Sequence, residues 1–183
     1  MTDPEGDAGA DLAQFVAARL RNVPDFPEPG IQFKDIFPLL ADGEAFAQAI
    51  GALADFARTE WPIDLVAGIE ARGFILAAAL ARELGCGMAP IRKAGKLPPP
   101  TLSQAYTLEY GTAEIEVPAG LLAGRRVFLV DDVLATGGTL EAAAYLVAAA
   151  GAQITGIATL LELAFLGGRA RITAAPVYTL LRL

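Results

Sequence analysis

Apolar residues along this chain recur in two spacings. Residues 64–69 (DLVAGI) read as a buried strand, and 127–130 (VFLV) is a short, continuous apolar run of the kind that forms a strand buried on both faces of a parallel sheet. Residues 87–92, 153–163 and 177–183 read as further strands, the last at a sheet edge because it carries Arg182. Between them the spacing becomes helical. Leu12, Phe15, Val16 and Leu20 give an amphipathic helix over 11–21, with Asp11 as its cap. Phe46, Ile50, Leu53 and Phe56 mark one face of a helix over 43–58. Residues 74–84 form another, and an Ala-rich segment from Leu140 to near Gly151 has good helix propensity. A short helix is expected over 165–172, around Gly167 and Gly168. Strands alternating with helices predict an α/β fold with a twisted, mostly parallel sheet flanked by helices.

Two segments break the pattern. Residues 23–40, VPDFPEPGIQFKDIFPLL, hold Pro24, Pro27, Pro29 and Pro38, which forbid regular structure, yet carry Phe26, Ile31, Phe33, Ile36 and Phe37. So apolar a loop covers something: either the core, as a packed arm, or a flat ligand, as a hood. The second segment, 97–117, opens on three prolines and ends in TAEIEV, whose alternation predicts a strand with Glu114 and Glu116 outward. It is long for a connection and reads as a flexible hairpin, either a β-excursion or a lid.

Candidate chemistry gathers where strands meet loops. The stretch 127–140, VFLVDDVLATGGTL, is a strand, two acids, a small Gly/Thr loop and a helix start. Open backbone amides and the positive end of a helix dipole suit a phosphate. The loop has no Lys, so it is not a GxxxxGKS/T P-loop, and it lacks G-x-G-x-x-G spacing. Ala135, Thr136, Gly137, Gly138 and Thr139 suit one phosphate group. Asp131 and Asp132 would repel that phosphate at close range, so they are suited to sugar hydroxyls or a metal ion. A ribose 5-phosphate meets the combined description. Arg72 follows the 64–69 strand beside Gly73, either as an anion ligand or as a surface residue. Arg92, Lys93 and Lys96 form the densest basic cluster, either a solvated turn or an anion clamp.

Composition removes several alternatives. With no His and a single Cys, Cys86, the chain has no Ser-His-Asp or Cys-His catalysis, no His-ligated metal and no intrachain disulfide. Acid–base work falls to Asp, Glu, Lys or Tyr. A net charge of −7 argues against broad nucleic-acid binding. The longest apolar stretches are too short to span a bilayer. Residues 1–10 are acidic and Gly-rich, without a basic or apolar leader pattern, and read as a disordered tail on a cytoplasmic protein.

The 127–140 stretch resembles the phosphoribosyl-pyrophosphate (PRPP) motif of the type I phosphoribosyltransferases: four apolar residues, two acids, a short stretch and T-G-G-T. Residues 23–40 are similar to the start of the adenine phosphoribosyltransferases, P-D-F/Y-P-x-P-G-I-x-F-R/K-D-I-T-P-L, which hypoxanthine-guanine enzymes lack; Phe37 departs from it, where Thr is usual. GIEARGF, ending at Phe74, looks like the family's pyrophosphate loop, with a cis peptide expected at Ala71–Arg72. IRKAGKLP, at 91–98, falls on I-R-K-x-G-K-L-P. AYTLEYG, at 105–111, resembles the catalytic signature S-Y-x-L-E-Y-G with Ala105 in place of Ser, and Glu162 and Leu163 match V-E-L.

The resemblance covers 23–183 and implies the type I phosphoribosyltransferase fold. It implies a single domain over 11–183, an adenine hood at 23–40 and a flexible catalytic loop at 95–117. The implied reaction joins adenine and PRPP into AMP and pyrophosphate. By the resemblance, Glu109 is the catalytic carboxylate and Tyr110 its neighbour. Phe33 stacks on the purine, with Gln32 and Lys34 offering backbone contacts to its edge. Leu163 closes the far side of the purine pocket, though core packing accounts for it equally. Arg72, Lys93 and Lys96 take the pyrophosphate, Asp131 and Asp132 the ribose hydroxyls, and Ala135 to Thr139 the 5′-phosphate. Mg²⁺ is expected to arrive with PRPP and water near Asp131 and Asp132, without a dedicated protein site. A homodimer is expected. A transferase for a 6-oxopurine such as xanthine would share the PRPP loop, and a non-catalytic PRPP or nucleotide sensor is the remaining alternative.

Overall fold

The computed structural model describes residues 4–60, 62–108 and 111–183. It divides into two compact units, Met1–Ala52 and Leu53–Leu183.

In the first unit, helix α1 spans Pro4–Ala17. It starts earlier than the expected Asp11, so residues 4–10 are helical where a disordered tail was expected. Pro4 is the first helical residue, where proline's missing N–H costs no intrahelical bond and its fixed φ suits the helix. The helix also stops short of Arg21, because Arg21–Pro24 is strand β1. It pairs antiparallel with β2, Gln32–Asp35, from Arg21↔Asp35 to Pro24↔Gln32. Prolines therefore do not abolish regular structure over 23–40. Pro24 is the last residue of a two-stranded ribbon, where a missing donor is tolerated. Pro38 falls in the first turn of α2, Phe37–Ala41. Asp35 is buried and accepts from Arg21 Nη2 at 2.6 Å and from the Phe37 amide at 2.9 Å, which pins the ribbon to the start of α2.

Helix α3, Gly43–Glu60, leads into the second unit. There follow β3 (Leu65–Ile69), α4 (Arg72–Leu84), β4 (Gly87–Lys93), β5 (Thr101–Leu108), β6 (Gly111–Pro118), β7 (Arg126–Leu134), α5 (Gly138–Ala149), β8 (Gln153–Glu162) and β9 (Val177–Arg182). Among the described residues these strands form one seven-stranded sheet in the order β5-β6-β4-β3-β7-β8-β9. The β4-β3-β7-β8-β9 core is parallel, while β6 and β5 add antiparallel. The expected edge strand, β9, does lie at the edge.

Successive residues of a strand face opposite sides, and both sides are covered. Ala67, Ile69 and Leu129 belong to one buried cluster with Ala143, Leu146 and Val147 of α5. On the other side Phe128 meets Phe56 of α3 at 6.1 Å between ring centroids. A Cβ at Gly68 would lie 2.6 Å from Ala77 Cβ, so only glycine lets α4 approach β3 this closely. No helix among the described residues is long and apolar enough to cross a membrane.

Within the parallel core, β3 is the first strand in sequence, with the second, β4, on one side and the third, β7, on the other. The chain leaves β3 for α4 and β7 for α5, on opposite faces. Such a reversal of strand order opens a crevice at the carboxyl ends of the two strands, where open α/β sheets bind ligands.

Candidate functional site

Both acids of the 127–140 stretch lie inside β7 rather than beyond its end. The strand continues because β8 is long enough to pair with it, through Asp131↔Thr159 and as far as Leu134↔Glu162. Asp131 and Asp132 are therefore buried, 9% and 6% exposed, on a central strand. The Asp132 amide donates to Asp131 Oδ1 at 2.9 Å. Across the crevice, Arg72 Nε lies 2.5 Å from Asp132 Oδ2. Burial, with the adjoining Asp132 second, pushes the Asp131 carboxyl well above the usual carboxylate range. Burial also raises Asp132, against the opposing pull of Arg72.

After Leu134 the chain turns through Ala135, Thr136 and Gly137 into α5, which starts at Gly138 rather than Leu140. Gly137, at φ +84°, supplies the left-handed turn before the helix. The first amides of α5 have no intrahelical acceptor. They open on a cavity of about 70 Å³ lined by Asp131 and by residues 133–140, room for one small group rather than a nucleotide.

Arg72 is the first residue of α4. The cis bond of this loop is Glu70–Ala71, one residue before the expected Ala71–Arg72, since Arg72 already belongs to the helix. Gly73 packs on β7: a Cβ there would lie 2.9 Å from Asp131 Oδ1 and 3.1 Å from the Val130 carbonyl oxygen.

Glu70 is a site residue that sequence reasoning missed. Its carboxylate accepts from Arg92 Nε and Nη2, each at 3.2 Å, and from the Lys93 amide at 3.0 Å. Arg92 also donates to the Lys96 carbonyl at 2.9 Å. The basic cluster thus divides in two. Arg92 holds the turn together, while Lys93, the last residue of β4, and Lys96, in the turn after it, are exposed. The side-chain hydrogen bond from Arg92 keeps Glu70 below its ordinary pKa.

Glu116 was expected to point outward and is instead 5% exposed. Its Oε1 accepts the amides of Lys96 and Leu97, both at 2.8 Å, which shape the turn entering the hairpin. Alternation alone could not reveal this, because it sees the strand and not the turn folded against it. Glu114 is exposed as expected. β5 and β6 pair from Thr101↔Pro118 to Leu108↔Gly111, with Tyr106 packed on the buried cluster. The two expected catalytic residues, Glu109 and Tyr110, lie outside the described residues.

Leu163 follows β8, half-buried, and its amide donates to the Leu134 carbonyl at 2.9 Å, beside the Gly/Thr loop. The helix expected over 165–172 is two short 3-10 turns, Ala164–Leu166 and Gly168–Arg171, broken by Gly167 in a left-handed conformation. In the first unit, Gln32, Phe33 and Lys34 are consecutive on β2, and Phe33 meets Phe26 edge-on at 5.1 Å. Lys34 Nζ donates to Asn22 Oδ1 at 2.7 Å across the ribbon.

Among the described residues no group of three or more His, Cys, Asp or Glu is disposed to hold a metal ion. Two adjacent carboxylates fit a hard cation that keeps most of its water and takes its other oxygens from a substrate. Together, the small Gly/Thr loop, the acids ahead of it and the arginine across the crevice gather at the strand-order reversal of an α/β sheet.

The phosphoribosyl transferase domain family matches residues 39–175. Adenine phosphoribosyltransferase of Mycolicibacterium gilvum is 53% identical over 177 residues, 96% of this chain and 97% of that protein. A crystal structure of the Rhodothermus marinus adenine phosphoribosyltransferase superposes with a TM-score of 0.90 at 49% identity, covering 95% of this chain and 99% of that one. The Saccharomyces cerevisiae enzyme, complexed with adenine and an imino-altritol bisphosphate, superposes with a TM-score of 0.88 at 39% identity, covering 93% and 99%. The chain belongs to the phosphoribosyl transferase domain family and, within it, to the adenine phosphoribosyltransferases, with the type I fold.

Proposed function

We infer that the chain joins adenine and PRPP into AMP and pyrophosphate, the reaction of the family to which it belongs. The observation that carries this reading is the pair of buried acids on β7 leading into the open amino end of α5, with Arg72 opposite. Base, sugar, 5′-phosphate and pyrophosphate each need a different chemistry, and the chain offers one group for each.

In the proposed mechanism, residues 135–139 hold the 5′-phosphate through backbone amides and the Thr136 and Thr139 hydroxyls. Asp131 and Asp132 hold the ribose hydroxyls. Arg72, Lys93 and Lys96 bind the pyrophosphate and stabilise the charge it gains as its bond to the anomeric carbon breaks. N9 of adenine attacks that carbon while Phe33 stacks on the ring, the backbone at Gln32 and Lys34 reads its edge, and Leu163 closes its far side. Glu109 faces the cationic sugar or takes the purine's proton, with Tyr110 beside it. Closure of the 95–117 hairpin excludes water, which would otherwise hydrolyse the sugar cation. Mg²⁺ bound with PRPP near Asp131 and Asp132 would neutralise phosphate charge. A cytoplasmic homodimer is the proposed working form.

Competition among adenine, hypoxanthine, guanine and xanthine in one PRPP-dependent assay tests the reading. Adenine should be consumed at least about a hundredfold more efficiently than the 6-oxopurines, because a site arranged to pair an exocyclic amine leaves its acceptors unpaired against a carbonyl. Preference for hypoxanthine or xanthine would replace the assignment with the 6-oxopurine reading. PRPP binding without turnover of any base would point to a sensor.

A further inference from the structure

The Gly/Thr loop is backed by a second segment of chain that none of the sequence motifs covers. Gly168 is buried, and its backbone lies directly against residues 135–137. A Cβ at Gly168 would collide with the Ala135 carbonyl oxygen and stand 2.7 Å from both the Gly137 nitrogen and the Thr136 carbonyl carbon. The approach is mutual, since a Cβ at Gly137 would collide with the Gly168 carbonyl oxygen. Neither obstacle is a flexible side chain; both are backbone.

The turn carrying Gly168 is fastened on both sides. Arg169 Nε donates to Glu162 Oε2 at 2.9 Å and Nη2 to the same oxygen at 2.5 Å. Arg169 also donates through Nη1 to the Val177 carbonyl at 2.6 Å and through Nη2 to Thr179 Oγ1 at 2.9 Å. It therefore grips β8 and β9 together, around a Glu162 that is only 2% exposed. Arg171 Nη2 donates to Glu141 Oε2, in the first turn of α5, at 2.6 Å. Anchored to the sheet by one arginine and to α5 by the other, the turn has little freedom to yield if the loop is pushed.

We propose that the Gly168–Arg171 turn is a buttress that fixes the shape of the phosphate loop, with Gly168 and Arg169 as positioning residues for the 5′-phosphate of PRPP. This rests on reading residues 135–139 as the 5′-phosphate site. Loop amides point at one place only if the peptide planes of 135–137 are fixed, and those planes are what Gly168 touches. A side chain at 168 pushes them outward. Loss of the Arg169 grip lets them relax backward. Either change degrades the phosphate site while leaving the pyrophosphate end, at the start of α4 and the end of β4, untouched.

The test is calorimetric titration of Gly168→Ala and Arg169→Gln with two probes, ribose 5-phosphate and inorganic pyrophosphate, with Thr139→Ala as a reference for the loop itself. Each variant should lose about tenfold or more in affinity for ribose 5-phosphate and stay within about threefold for pyrophosphate. Steady-state kinetics should show the same division, with KM for PRPP raised and kcat at saturating PRPP largely kept. A merely destabilised fold would lower the active fraction and leave KM in place. Arg169→Gln keeps the backbone at 168 unchanged and decides the matter if Gly168→Ala does not fold. Unchanged ribose 5-phosphate binding in Arg169→Gln, or equal loss of both probes, overturns the buttress provided Thr139→Ala weakens ribose 5-phosphate. If Thr139→Ala has no effect, the loop is not the 5′-phosphate site and the buttress falls with it.

Discussion

Replacing Arg72 by Gln removes the cation that faces two adjoining buried carboxylates and ends the side chain at the level of Nε. Arg72 Nε lies 2.5 Å from Asp132 Oδ2, with Asp132 8% and Arg72 30% exposed at their side chains. Breaking a fully buried pair costs about 3–5 kcal/mol, and the open side of Arg72 reduces this to about 2–3 kcal/mol. For a chain of 183 residues, that is a fall in Tm of roughly 4–12 °C at neutral pH. The loss should depend on pH with a definite sign. Asp131 and Asp132 both have folded pKa values raised above the ordinary value, so as pH rises the unfolded chain ionises first and their contribution to stability falls. Removing Arg72 raises both further, which penalises the folded protein most where the acids must be charged. The Tm gap between the parent and Arg72→Gln should therefore be largest near about pH 8 and shrink toward about pH 5. Differential scanning fluorimetry without PRPP across that range measures it. Equal Tm values at the alkaline end, or a gap that widens on acidification, would refute the ion-pair reasoning.

Three further outcomes are expected. Gly73→Ala places a Cβ 2.9 Å from Asp131 Oδ1, so PRPP binding should weaken severalfold by titration while Tm falls only by the equivalent of about 1–3 kcal/mol of overpacking. Glu116→Gln weakens the acceptor of the Lys96 and Leu97 amides, and KM for PRPP should rise with little change in Kd for adenine. Glu109→Ala should lower kcat by at least about a hundredfold with little effect on PRPP binding; an unchanged kcat would remove Glu109 from the chemistry.

Much of the sheet is legible from local pattern. The runs at 65–69 and 127–130 are apolar throughout because helices cover both faces, and a run of that kind has few alternatives. Pattern fails where a polar residue is buried for a reason lying elsewhere in the chain. Asp131 and Asp132 resemble strand-end residues, yet β7 passes through them because β8 is long enough to pair alongside. Glu116 resembles a solvent-facing residue of an alternating strand until the 96–97 turn folds onto it. Prolines hid the β1–β2 ribbon, whose pairing places Pro24 at a terminus. Gly168 gives the faintest signal of all, because glycine's local meaning is turn freedom. Its role here is a close approach to a loop some thirty residues earlier.

The Glu70 contacts also bear on how fast a polyanion arrives. Arg92 is matched by Glu70 and Arg72 faces Asp132, so the exposed positive charge around the crevice comes chiefly from Lys93 and Lys96. Those lysines sit on a chain of net charge −7. Beyond a Debye length of about 8 Å at physiological salt, PRPP meets a molecule of its own sign, and attraction begins only near the crevice. Such a field selects by proximity instead of drawing anions from a distance. Moderate salt should therefore slow PRPP association far less than it would in an enzyme with a broad basic face.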